Sequence, residues 1–294
     1  MIQEKFFYDT VKRLSELKLS PVPDATYQFK DTFKQQLLDP TSGLVINMSD
    51  TASFSLEMRA DEYKNAIFSD YYFGHKRICE QIKNLKLQIE NNSQVAWVLI
   101  TAYYASFFMA TELSRLYGIY SINLNQDNMH ALMSLSSSTF SGVINEPNYG
   151  YKVCVSNSSY DGFVRLNFYK NSGKPHLEVW KNMTEIIKRI EVDDNILLFR
   201  TLFLNIVDKD NSRWHTPSNI RNEWNYTYST YYGDRGTTMG ASFYKNIRDI
   251  KSTMGWASNR TLAPHDENIV ASLSFIYYCL YSTFDKINNR LGIV

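Results

Sequence analysis

Between Glu90 and Glu112 the chain carries no charged side chain, and Val95–Ala110 within that run is built mainly of Val, Leu, Ile, Ala, Phe, Tyr and Met. An uncharged apolar run of roughly 20 residues either crosses a bilayer or becomes the central helix of a folded core. Thr101, Tyr103, Tyr104 and Ser106 stand in its middle, and no second run of this kind accompanies it. Both features point to a buried central helix over 93–117 and to no membrane. Ala102, Ser106 and Ala110 recur every fourth residue, which makes a small-residue ridge against which another helix packs closely.

Around that helix the chain reads as mainly α. Residues 3–18 have helical period, with Phe7, Val11, Leu14 and Leu17 on one side, and Pro21 and Pro23 break the pattern. A short helix is expected at 29–38. Phe54, Leu56 and Met58 alternate as a strand does, and Leu44-Val45-Ile46 can pair with them. Helical spacing returns at 76–91 with Ile78, Ile82, Leu85 and Ile89. Residues 119–150 read as loop. Tyr151–Val155 and Phe163–Phe168, separated by Asn, Ser, Asp and Gly, read as a β-hairpin. Helices are expected at 172–190 (Leu177, Trp180, Met183, Ile187, Ile190) and at 195–207. Residues 229–265 read as irregular, with a helix at 242–253. The last helix, 266–291, keeps a three-and-four spacing from Ile269 through Leu273, Ile276, Leu280, Phe284 and Ile287 to Leu291.

Composition narrows the function classes. A chain of 294 residues with 44% hydrophobic content builds one large domain or two smaller ones around a real core. A net charge of +1 gives no global attraction to nucleic acid or membrane, so an RNA site must be a local patch. The 21 Tyr suit interfaces and polar-lined pockets, or simply a Tyr-rich core in an AT-rich genome. Cys79, Cys154 and Cys279 are far apart and lack C-x-x-C spacing, so a disulfide framework is not expected and a reducing cytoplasm is the default. Met1–Lys5 shows no signal-peptide pattern. His75 and Cys79 are four apart without further ligands, so neither a metal nor a cofactor is expected. Walker, G-x-G-x-x-G, G-x-S-x-G and H-E-x-x-H motifs do not occur.

The stretch richest in chemistry is Thr216–Tyr228. Thr216 suits an N-cap and Pro217 the first helical position. On such a helix Ile220 and Trp224 share an apolar face. Arg221, Asn225 and Tyr228 fall on the neighbouring face, with Asn222 and Tyr226 beside them. Arg221 is a permanent cation with five donors, suited to a phosphate or to the charge that develops on one. Asn222 and Asn225 can orient a ribose or phosphate, and Tyr228 can contact a phosphate. Tyr226 can donate to a leaving oxygen, but an ordinary pKa near 10 makes it a poor general base. His215, six residues before Arg221, can approach from the other direction, and His265 precedes the last helix. Each also has a bland role: an ion pair of Arg221 with Glu223, amides bonded to backbone, packed tyrosines.

Two of these stretches resemble the HEPN superfamily of all-helical domains. Ala102-Tyr103-Tyr104-Ala105-Ser106-Phe107 is similar to an Ala-Tyr-Tyr-Ala-x-Phe helix common in that family. Arg221-Asn222 with Tyr228 is similar to its signature of Arg, a polar residue and a His four to six residues after the Arg, some members adding a Tyr two further on; Tyr226 stands in the place of the His. His176-x-x-x-Trp180 is similar to the start of a helix in one subgroup. The resemblance implies a mainly α fold: a HEPN-like helical bundle over 76–294, a hairpin inserted at about 150–170 and a small α+β extension over 1–75. It implies a dimer whose two motif helices form one cleft. Two functions follow. One is a metal-independent endoribonuclease of a prokaryotic conflict or phage-defence system, with Arg221, Asn222 and Tyr226 catalytic and Asn225, Tyr228 and His215 binding substrate. The other is a non-catalytic subunit recognising RNA, a nucleotide or a partner protein encoded in a defence operon.

Overall fold

Eleven α-helices and five strands are present among the residues that the computed structural model describes, 1–20, 27–39, 43–208, 216–222, 233–259 and 266–293. They divide into two units, each assembled from three stretches of chain. One comprises Met1–Tyr8, Lys76–Ala110 and Met183–Ile287; the other comprises Asp9–His75, Thr111–Asn182 and Asn288–Val294. In chain order the elements are α1 (Ile2–Glu16), a 3-10 turn (Phe29–Asp31), α2 (Phe33–Leu38), β1 (Val45–Asn47), β2 (Ser53–Arg59), α3 (Ala60–Glu90), α4 (Val95–Tyr117), β3 (Ile119–Asn125), α5 (Gln126–Leu135), β4 (Asn148–Asn157), β5 (Phe163–Lys170), α6 (Pro175–Arg189), α7 (Asp194–Val207), α8 (Pro217–Asn222), α9 (Asp234–Arg248), α10 (Ile250–Asn259) and α11 (Asp266–Leu291).

The second unit holds all five strands, in one antiparallel sheet of order β1-β2-β5-β4-β3. Alternation builds it: Phe54, Leu56 and Met58 of β2, Tyr149, Tyr151, Val153 and Val155 of β4, and Val164, Leu166 and Phe168 of β5 are all buried. Phe54 and Phe168 stand opposite each other in the register, their rings stacked at 4.2 Å. Tyr151 meets Phe54 edge-on at 5.1 Å, and its hydroxyl donates to the Thr51 carbonyl at 2.9 Å. The hairpin read from the sequence is therefore the middle of a sheet, since β5 pairs along its length with β2 of the N-terminal region. Residues 119–150, read as loop, contain β3 and α5. Gly118, at φ +84, ends α4 and turns the chain directly into β3. Asn125 then opens α5 with a reciprocal capping box to Asn128.

Gly150 marks the tightest backbone approach in this unit. A Cβ there would lie 2.7 Å from the Gly173 nitrogen and closer still to its Cα. The Asn171 N–H, next to this contact, donates to the Gly150 carbonyl at 2.8 Å. Gly150→Ala is expected to destabilise the protein by about 3 kcal/mol, the upper end of overpacking costs, because backbone rather than a mobile side chain must move. Urea unfolding measures this; an unchanged midpoint would show that the 171–173 turn yields freely.

The first unit is helical. Residues 95–110 of α4 bury Val98, Leu99, Ala102, Tyr103, Ala105, Ser106, Met109 and Ala110, including the whole small-residue ridge. The Ser106 hydroxyl donates to the Ala102 carbonyl at 2.8 Å, which satisfies it inside the helix. Among the described residues α4 is the one helix long and apolar enough to cross a membrane, and 72% of its most apolar window is buried, as in a core helix. In α11, Ile269, Leu273, Ile276, Leu280, Phe284 and Ile287 are buried, as their spacing predicts. In α1 the buried residues are Ile2, Gln3, Phe6, Thr10 and Leu14, so the inward face is displaced from Phe7 and Val11. The region read as irregular with one helix contains two, α9 and α10. Extended Asp249 separates them, its carboxylate accepting from the N–H groups of Lys251 at 3.0 Å and Ser252 at 3.1 Å.

Candidate functional site

The helix that carries the Arg-Asn pair begins as its sequence predicts. Pro217 opens α8, and Thr216 Oγ1 accepts a long bond from the Asn219 N–H at 3.4 Å. Thr216 and Pro217 are buried, Arg221 is half-buried and Asn222 is exposed. The Arg221 Nε is itself buried, next to the exposed Asn222. His215, Asn225, Tyr226 and Tyr228, with Glu223, Trp224 and His265, lie outside the described residues. Of the six site residues expected from the sequence, the structure thus places Arg221 and Asn222 side by side.

The second family-like segment is core. Tyr103 is fully buried, while Tyr104 and Phe108 are half-buried with tilted rings 5.9 Å apart. The Arg77 guanidinium lies 4.1 Å from the Phe108 ring centroid, a cation–π contact. In the sheet unit Trp180 is buried and His176 half-buried. Among the described residues no three His, Cys, Asp or Glu side chains are grouped to hold a metal ion, and Cys79, Cys154 and Cys279 form no disulfide.

A site that the sequence reading missed lies within the helical unit. A cleft of about 280 Å³ is bounded by Leu85, Lys86, Ile89 and Glu90 of α3, by Ile247 and Arg248 at the end of α9, and by Tyr277, Tyr278 and Tyr281 of α11. The Tyr277 and Tyr281 rings are parallel within 8° at 5.7 Å, and Tyr278 meets Tyr277 edge-on at 5.4 Å. The Tyr278 hydroxyl donates to the Ile247 carbonyl at 2.5 Å, tying α11 to the end of α9. Arg248 donates to the Ile89 carbonyl at 3.1 Å and to Asn92 Oδ1 at 2.6 Å. It thereby supplies a cation and a further donor at the end of α3, where the Ile89 carbonyl also accepts from the Asn92 N–H at 3.3 Å. The pair Tyr277/Tyr281, four apart on one helix, is the signal the sequence did offer; the apolar spacing of α11 concealed it.

The sheet unit holds a buried charge cluster. Arg115 Nη1 donates to Glu112, and Arg115 Nε stands 3.6 Å from the Asp70 carboxylate. Tyr63 and Tyr120, both buried, have their hydroxyls pushed well above the ordinary phenol range, chiefly by burial. Burial opposes the charge on Arg115, but Glu112 and then Asp70 outweigh it and hold its pKa above the ordinary guanidinium value.

Comparison with protein-family models, with curated proteins and with solved structures finds no match.

Proposed function

We propose that this chain is a HEPN-like protein of a prokaryotic conflict or phage-defence system that acts on RNA as a metal-independent endoribonuclease. What supports the reading is the half-buried Arg221 beside an exposed Asn222 on a Thr-capped, Pro-started helix. In it Arg221 holds the scissile phosphate and takes up the charge that develops in the transition state. Asn222 positions the same group, Tyr226 donates to the leaving oxygen, and His215, Asn225 and Tyr228 bind the strand. A homodimer pairing two such helices in one cleft belongs to the same reading, as does action in the cytoplasm.

One sequence observation favours a second reading. A phenol at Tyr226, where the family carries an imidazole, is poorly suited to accept a proton at neutral pH. The same bundle without catalysis is a binding or regulatory subunit for RNA, a nucleotide or a partner protein. Incubation with single-stranded RNA in the presence and absence of EDTA separates the two. Cleavage that persists in EDTA is the expected result. Loss on chelation overturns the metal-independent mechanism, and retention of RNA without cleavage selects the binding subunit.

A further inference from the structure

The α3–α9–α11 cleft combines an apolar frame with polar groups that its own fold leaves unused. Leu85, Ile89 and Ile247 supply the frame and three tyrosines an aromatic wall. Tyr278 has spent its hydroxyl on the Ile247 carbonyl. The side chains of Lys86 and Glu90 and the hydroxyls of Tyr277 and Tyr281 have no hydrogen bond or ion pair among the described residues. Tyr277 is only 6% exposed, and a phenol packed that deeply for its ring alone usually has its hydroxyl paired. Burial also raises its pKa, so the hydroxyl remains a neutral donor.

Two of the lining residues, Lys86 and Arg248, are cations. Arg248 makes its hydrogen bonds to a carbonyl and an amide oxygen, both neutral, and Lys86 stands free, whereas Glu90 is the one carboxylate among the lining residues. Among the lining residues themselves two cations therefore stand with one carboxylate. The nearest further acid in sequence, Asp249, turns its carboxylate to the start of α10 and to the Ser252 hydroxyl at 3.0 Å; it keeps its charge and acts on Tyr278 from outside the lining. Two lining cations, a wall of two parallel rings and unpaired phenol donors match a flat molecule with a negative end. A volume of about 280 Å³ is at the small end of ligand sites and suits a single ring system with one substituent.

We infer that this cleft binds a planar aromatic anion, its ring against Tyr277 and Tyr281 and its carboxylate or phosphate at Lys86 and Arg248. Glu90 and the phenol hydroxyls then read the polar edge of the ring. Two sources share this chemistry: mononucleotides, including the end of an RNA strand, and aromatic carboxylates. The inference does not depend on cleavage at Arg221, since none of the groups it uses belongs to α8.

Calorimetric titration of the full chain with adenosine 5′-monophosphate, indole-3-acetate, adenosine and inorganic phosphate tests it. At least one of the two aromatic anions is expected to bind, and which one does identifies the source. Adenosine is expected to bind roughly tenfold more weakly than its monophosphate, or not at all, and phosphate alone to give no signal, because ring and charge act together. Lys86→Gln should weaken the anion by about tenfold, the loss of one charge-assisted bond, without moving the unfolding midpoint. Tyr281→Phe, which keeps the ring, should weaken it less than Tyr281→Ala. Failure of both anions to bind overturns the inference, as does binding unchanged in Lys86→Gln and Tyr281→Ala, or phosphate binding as well as the monophosphate.

Discussion

Arg115→Ala is expected to cost roughly 3–5 kcal/mol of folding free energy, the range for breaking a buried ion pair from one side. Arg115 lies in the last turn of α4, with its guanidinium bonded to Glu112 and 3.6 Å from Asp70. Glu112 is 1% exposed and has no room to swing out to solvent. Gly74 of α3 packs directly on its carboxyl, so closely that any Cβ there would collide with it. Removal of the cation takes away the guanidinium that both the Glu112 and the Asp70 carboxylates approach inside the sheet unit, 5.9 Å from the Tyr120 ring. Arg115→Lys should recover part of the loss, since an ammonium keeps the charge and loses the fork. The pair Glu112→Gln with Arg115→Met should be less destabilised than Arg115→Ala alone, because a neutral pair no longer strands a buried charge. Urea unfolding of the single and double variants measures the coupling. A loss of under about 1 kcal/mol for Arg115→Ala, the range of exposed pairs, would show that water reaches the cluster.

That cluster also illustrates what a linear reading can reach. Glu112 and Arg115 are three apart and visible as a pair, but Asp70, Tyr63 and Tyr120 join them only through folding. The long apolar helices were legible because their period is local: α4, α6, α7 and α11 lie close to where spacing puts them. The hairpin strands were legible too, yet their union with β1 and β2 was not. Alternation says which side of a strand is buried and nothing about which distant strand lies beside it. The first half of α3 escaped because Tyr63, Ala66, Ile67, Phe68 and Tyr71 are all buried, which blurs an amphipathic period. Of the candidate sites, the cap of α8 was readable from Thr216-Pro217 alone. The tyrosine cleft was not, since α3, α9 and α11 each bring part of it from a separate region of the chain.

If the chain cleaves RNA, Arg221→Ala should lower the rate by about 10²–10³, the usual cost of removing one preorganised donor from developing negative charge, or roughly 3–4 kcal/mol of barrier. The same change should leave the unfolding midpoint nearly where it was. Arg221 is half-buried on α8, whose start is held by Thr216 and Pro217, so its loss removes little packing. Arg221→Lys should restore little activity, because an ammonium cannot present the bidentate fork that a phosphate accepts. Tyr226→Phe removes one hydroxyl and no ring. Under catalysis it slows cleavage sharply; under a packing role it is nearly silent. Tyr226→His places an imidazole where the family carries one and should raise the rate at neutral pH, since a group with a pKa near 6.5 both accepts and returns a proton there. Single-turnover cleavage of a labelled RNA, measured beside thermal unfolding for all four variants, gives a result with opposite signatures. An Arg221→Ala protein that melts many degrees lower, together with a silent Tyr226→Phe, would make α8 a structural helix. The catalytic reading would then fall, and RNA, nucleotide or partner binding without chemistry would be the function to pursue.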